Sequence, residues 1–257
     1  MQLESENYFV CLIDMMGQKK FFEKIQSPDV SPEIFDNIVR VSNGLRMMVK
    51  YITNRYNRYF KKKDDVGVEL FSDSLLLSLK DAVDDGYKLT TWLEIIMKVI
   101  YIACMYKLPF RGSIAKGLAY RSESGGIYGD AVDEAIHLEQ SRADSFRVIF
   151  SHKLAYELVS LKGFECDKYL EQDIDSSIVL NYAGPKIILT PEFSRERQML
   201  PQIREWISER ISYFSFKGID EHDCHSDPKL ARRFMMWNNY LELESRQCEK
   251  RYNVRGF

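Results

Sequence analysis

No stretch of this chain approaches the ~20 consecutive apolar residues that a membrane-spanning helix needs, so no membrane partner is expected. The opening MQLESENYF is acidic and lacks the basic and long apolar regions of a secretory signal. A dominant charge sign is missing too. Lys and Arg total 36 against 38 Asp and Glu, and a net charge of −2 gives no reason to expect nucleic acid or anionic lipid as a partner. The five cysteines (Cys11, Cys104, Cys166, Cys224, Cys248) are scattered and odd in number, with no CxxC pair. That pattern argues against a disulfide framework and suits reduced thiols in a cytoplasmic protein. Internal repeats, low-complexity segments and a Ser/His/Asp or Cys/His nucleophile set are also absent. His222, Cys224 and His225 cluster, but too tightly for a closed tetrahedral zinc site and with no second ligand pair nearby, so they read as a polar loop.

What is present suffices for one large α/β domain, or one domain with a helical tail: 257 residues, 45% hydrophobic and 29% charged. Tyr8 to Ile13 is a short apolar run that predicts a buried strand closed by Asp14, with a turn into a helix from Met15 to Phe22. Ser31 or Pro32 opens a helix to about Phe60, its apolar residues Ile34, Ile38, Val41, Leu45, Met48, Val49 and Ile52 recurring at threes and fours. Val66–Phe71 and Leu75–Leu79 flank a polar turn and predict a hairpin with Asp73 near its tip. A helix from Thr90 to Tyr106 follows, then a strand from Phe110 to Tyr120 in which Gly112 and Gly117 allow close backbone approach. A glycine turn leads to a helix from Ala131 to about Ala143, a strand from Phe146 to Phe150 and a helix from His152 to Leu161. The order predicts an α+β fold: a ferredoxin-like antiparallel sheet with flanking helices. Residues 1–195 would form the main domain, and 196–257 a helical extension packed on it.

Asp14 closes a buried strand, and Asp73 sits in the turn of a hairpin expected to pair with that strand. Two carboxylates brought together repel, and one is driven to bind a proton unless a cation fills the gap. Hard oxygen ligands suit Mg²⁺ or Mn²⁺, which bind through one or two carboxylates plus substrate phosphates. That equipment serves phosphoryl chemistry. Taken singly, Asp14 reads first as a helix cap and Asp73 as a turn residue; it is their joint occurrence that points to a site.

The segments "FVCLIDMMGQKKFF", "VELFSDSLLLSL", "FRGSIAKGLAY" and "GIYGDAVDEAIHLEQSRADSFRVIFS" resemble, in order, the core motifs of class III nucleotide cyclases from about Phe9 to Phe150. "IDMMG", "FSDS", "RGSIAKG", the helix Ala135 to Glu139 and the tail segment Arg233 to Tyr240 most resemble the pyrimidine cyclases of bacterial Pycsar antiphage systems. The resemblance implies a homodimer with shared active sites that cyclises a nucleoside triphosphate to a 3′,5′-cyclic monophosphate and pyrophosphate. Asp14 and Asp73 would bind two Mg²⁺ or Mn²⁺ ions, with the Met15 carbonyl as a further ligand. The backbone of Gly17, Gln18 and Lys19 would hold the β- and γ-phosphates. The product would serve a separate cyclic-nucleotide-responsive effector in antiphage defence.

Five positions depart from or refine that pattern. The Asn and Arg usually donated across the dimer fall on Asp133 and His137, and an acidic residue facing a triphosphate is unfavourable. Glu69 stands four residues before Asp73, where purine enzymes place a base-reading Lys or Glu, and its partner position is Gly126. Glu69 argues against ATP and the glycine against a purine edge, so a pyrimidine is favoured, with GTP as rival; UTP is set ahead of CTP with no residue that separates the two. Arg111 contacts phosphate or supports the sheet, the second role having the edge. The competing readings are a catalytically silent cyclase-like domain and a palm-type polymerase relative, the latter disfavoured for want of a basic template groove.

Overall fold

A computed structural model describes residues 5–15, 32–60, 65–71, 73–81, 86–122, 126–143, 146–173, 175–182, 190–195, 198–199, 201–203 and 205–206. The predicted turn and helix after Met15, the His222/Cys224/His225 group and the tail segment from Arg233 lie outside the described residues. Strands are β1 (Glu6–Met15), β2 (Val66–Phe71), β3 (Ser74–Lys80), β4 (Phe110–Arg121), β5 (Ile127–Tyr128), β6 (Val148–Phe150), β7 (Leu170–Gln172) and β8 (Ile178–Leu180). Helices are α1 (Pro32–Tyr59), α2 (Gly86–Met105), α3 (Asp130–Ser141), α4 (His152–Ser160) and the single turn α5 (Cys166–Tyr169).

The sheet order is β2-β3-β1-β4-β6-β8-β7, with β5 paired to β4. Its first four strands are all antiparallel to their neighbours, which is the ferredoxin-like arrangement expected from the order of elements. β6 adds to β4 in parallel, and the short β7 and β8, which sequence periodicity did not flag, extend the sheet. Residues 170–172 and 178–180 are each only three long, too short for alternation to register.

Alternation along β1 separates two cores. Phe9, Cys11, Ile13 and Met15 face α1 and α2, where Val41, Leu45, Met48 and Ile52 of α1 and a nearly all-apolar α2 centred on Trp92 cover them. Tyr8, Val10 and Leu12 face the other way, against Ala131, Val132 and Ala135 of α3. Small residues let α3 lie close: a Cβ at Gly117 would come within 3.1 Å of the Ala131 nitrogen. Gly129 enters α3 at φ +133°, a conformation glycine alone adopts without strain. Cys11 and Cys104 are free, buried thiols, and no helix among the described residues is long and apolar enough to cross a membrane.

Candidate active site

Strand register builds the site. Asp14 is the first polar side chain after the buried run of β1, and it pairs with Ser74 on β3 and with Arg111 on β4. Residues directly opposite each other share a sheet face, so Ser74, Asp14 and Arg111 form one row across three strands. Ser74 Oγ donates to Asp14 Oδ1 at 3.0 Å, and Arg111 Nε donates to Asp14 Oδ2 at 3.3 Å. Asp73 immediately precedes Ser74, and its carbonyl accepts from the Met15 amide at 3.0 Å. The hairpin therefore sets the Asp73 backbone opposite Met15, one residue beyond Asp14.

Glu139 was not among the residues singled out from sequence. Ala131, Ala135 and Glu139 recur at intervals of four on α3, one face of the helix. Ala131 crosses Gly117, and the Ala135 carbonyl accepts from Ser113 Oγ at 2.6 Å. The next turn carries Glu139 to Arg111 on the same strand, where Arg111 Nε pairs with Glu139 Oε1. The spacing of four was the available signal; what it meant depended on knowing that β4 lies beneath. Arg111 thus bridges two carboxylates, refining the expectation that it supports the sheet or contacts phosphate.

Burial pushes the Glu139 carboxyl up to about 7; Arg111 pulls it down, and the nearby Asp14 and Asp73 carboxylates push it further up. Between the ordinary value of 4.5 and about 7 the folded chain keeps a proton that the unfolded chain has released. Stability contributed by this group therefore falls as pH rises through that window. Glu139→Gln should flatten that segment of the stability curve, measured by urea unfolding in chelator across the window. An equal fall in the variant would assign the slope to other groups.

At the far edge of the same face, Glu69 on β2 pairs with Leu76, which in turn pairs with Leu12, two residues before Asp14. Glu69 Oε1 accepts from the Ile127 amide at 3.0 Å, so the structure brings Glu69 beside Gly126, its expected partner position. Burial raises the Glu69 carboxyl above its ordinary range, against the Ile127 amide and Arg121, which lower it. A Cβ at Gly126 would lie 2.8 Å from the Tyr128 hydroxyl; the phenol, stacked on Tyr120 at 5.6 Å, takes the space a side chain would fill. Arg121 spans β1 beneath this group, donating to the Val66 carbonyl at 2.6 Å and to Ser78 Oγ.

Asp133 and His137 are not brought to Asp14 within the chain. Both are exposed on α3, opposite the buried face that carries Ala135 and Glu139. Gly17, Gln18 and Lys19 lie outside the described residues.

The donor set suits a hard divalent cation: two neighbouring aspartates, one already steadied by a hydroxyl and facing a guanidinium. Among the described residues no group of three or more His, Cys, Asp or Glu is placed to hold a metal ion. The fit is to an ion that takes one or two carboxylates and completes its shell with water and phosphate, rather than to a closed protein cage.

No protein-family model matches the chain, and no curated protein does. Among solved structures it is similar to the monomeric guanylyl cyclase domain of the RhoGC fusion protein from the aquatic fungus Blastocladiella emersonii, at 15% identity and TM-score 0.46, covering 70% of this chain and 96% of that one. It is similar to the adenylate/guanylate cyclase/hydrolase from Silicibacter pomeroyi, at 16% identity and TM-score 0.45, covering 69% and 96%. A third is the guanylyl cyclase Cya2, at 14% identity and TM-score 0.44, covering 70% and 93%.

Proposed function

We propose that the chain is a metal-dependent class III nucleotide cyclase that converts a pyrimidine nucleoside triphosphate, UTP ahead of CTP, to its 3′,5′-cyclic monophosphate and pyrophosphate. The observation that carries this reading is the single sheet face bearing Asp14, paired with Ser74 and Arg111, at one end and a half-buried Glu69 two strands away, with Asp73 in the turn that adjoins Ser74. One end suits phosphate-bound cations and the other a base.

Asp14 and Asp73, with the Met15 carbonyl, would hold two Mg²⁺ or Mn²⁺ ions. Such ions, when bound, supply a lowered pKa for the ribose 3′-hydroxyl and charge neutralisation for the departing pyrophosphate. Ser74 fixes the Asp14 carboxylate in one rotamer by occupying Oδ1. The amides of Gly17, Gln18 and Lys19 would receive the β- and γ-phosphates. The 3′-oxygen forms its bond to the α-phosphorus as the bond from that phosphorus to the β-phosphate bridge breaks, so no protein nucleophile is required. Glu69 accepts from a base N–H, and the Tyr128 phenol over Gly126 favours a one-ring base over a purine. Asp133 and His137, on the exposed side of α3, would reach substrate only across a homodimer, His137 as a hydrogen-bond donor. In this reading residues 1–195 form the catalytic domain and 196–257 a packed helical extension of a cytoplasmic enzyme. Its product would act on a separate effector in antiphage defence.

A silent cyclase-like domain is the second reading, favoured by Asp133 and His137 in place of the usual Asn and Arg. The test is purified protein with Mn²⁺ and then Mg²⁺ against ATP, GTP, CTP and UTP separately. Products are read by mass, and light scattering reports the oligomer. Cyclic UMP, with less cyclic CMP, from a dimer is expected. Cyclic GMP alone would make it a purine enzyme, and no product from an intact dimer would favour the silent domain.

A further inference from the structure

Arg111 stands where a bound cation would compete with it. Its Nε is 3.3 Å from Asp14 Oδ2 and in closer contact with Glu139 Oε1. A guanidinium is charged at every accessible pH, so it cannot vacate the site by losing a proton; it stays paired with Asp14 or is held elsewhere. Glu139 is 4% exposed, and among the described residues its ion pair is with Arg111. Burying a carboxylate without a partner is strongly unfavourable, so the pair binds both members to each other.

We propose that Arg111 serves as the resident counter-cation of Asp14 before a divalent ion arrives, and that Glu139 is a positioning residue that retains the guanidinium and frees Asp14 when the ion binds. This rests on the reading of Asp14 and Asp73 as metal ligands. The two carboxylates hold Arg111 from different elements, Asp14 from β1 and Glu139 from α3. A dication at Asp14 repels Arg111, and Glu139 offers it a second carboxylate without a change of strand. Glu139 is itself kept in place by the sheet: the Ser113 to Ala135 hydrogen bond one turn earlier and the close crossing at Gly117 pin α3 to β4. Without the Glu139 charge, Asp14 becomes the guanidinium's remaining carboxylate among these three partners, and the incoming ion must displace it.

The experiment is Mn²⁺ binding without nucleotide. Chelator-stripped protein is titrated and free Mn²⁺ is read by electron paramagnetic resonance. Wild type is compared with Glu139→Gln, Arg111→Met and the double variant, and thermal melting confirms that each is folded. Glu139→Gln is expected to weaken Mn²⁺ binding about tenfold, the size of effect that loss of an outer-shell partner produces. Arg111→Met should bind at least as tightly as wild type, and in its background Glu139→Gln should shift affinity by less than about twofold, since its partner is gone. Unchanged affinity in Glu139→Gln overturns the proposal while leaving the metal reading intact. So does a weakening that persists undiminished in the double variant. If Glu139→Gln fails to fold, Arg111→Met decides alone: weaker binding than wild type overturns the proposal. Wild type and all variants binding no Mn²⁺ overturns both this proposal and the metal assignment.

Discussion

Asp73→Ala is expected to reduce cyclic nucleotide formation by more than about 100-fold, beyond what loss of an outer-shell partner of a metal ligand costs, while the fold persists. Asp73 occupies the turn between β2 and β3, and its backbone carbonyl accepts a hydrogen bond from the Met15 amide. Alanine keeps that carbonyl. The substitution also removes a charge that raises the proton affinity of Glu139, so repulsion at the site declines and stability should not fall. Mass-detected product formation with saturating Mn²⁺, alongside a thermal melt, reads both quantities. Turnover near wild type in the folded variant would remove Asp73 from the metal set.

Phe110→Ala should have the largest effect on stability, about 3–5 kcal/mol by the usual cost of emptying a buried phenylalanine site. Phe110 is fully buried and begins β4 beside Arg111. Its ring meets Phe146 edge-on at 5.7 Å and Tyr182 at 6.0 Å, and its backbone pairs with Met15. The three aromatics come from β4, the segment before β6 and the segment after β8, so the ring joins the ferredoxin-like core to the added strands. Urea unfolding measures the loss; a change below about 1 kcal/mol would mean that the site collapses around the cavity, the source of the spread in such measurements.

Much of this architecture was legible from local patterns. The apolar run of β1, the three-and-four spacing of α1 and the paired runs around Ser72 to Ser74 predicted elements whose ends moved by a few residues at most. Thr90 as a helix start was late, since α2 begins at Gly86. Phe146 as a strand start was early, since β6 begins at Val148. These are end effects in which neighbouring polar residues blur the period. β7 and β8 were missed because three residues carry no period to read.

By itself the sequence determined which segments are strand and helix and which faces are apolar. It also placed Asp14 near the end of a buried strand, one residue short of its last, Met15, and Asp73 in the turn of a hairpin. These follow from periodicities of 2 and 3.6, which are local properties. Tertiary structure alone decided which side chains meet. Ser74 reaches Asp14 across 60 positions of chain, Arg111 reaches it across 97, and Ile127 reaches Glu69 across 58. Those meetings depend on register, and a slip of one residue would turn the strand's side chains to the opposite face. Glu139 shows the division most plainly. Its spacing from Ala135 marks the buried face of α3, but only the β4 strand packed beneath that face turns a buried glutamate into the partner of Arg111.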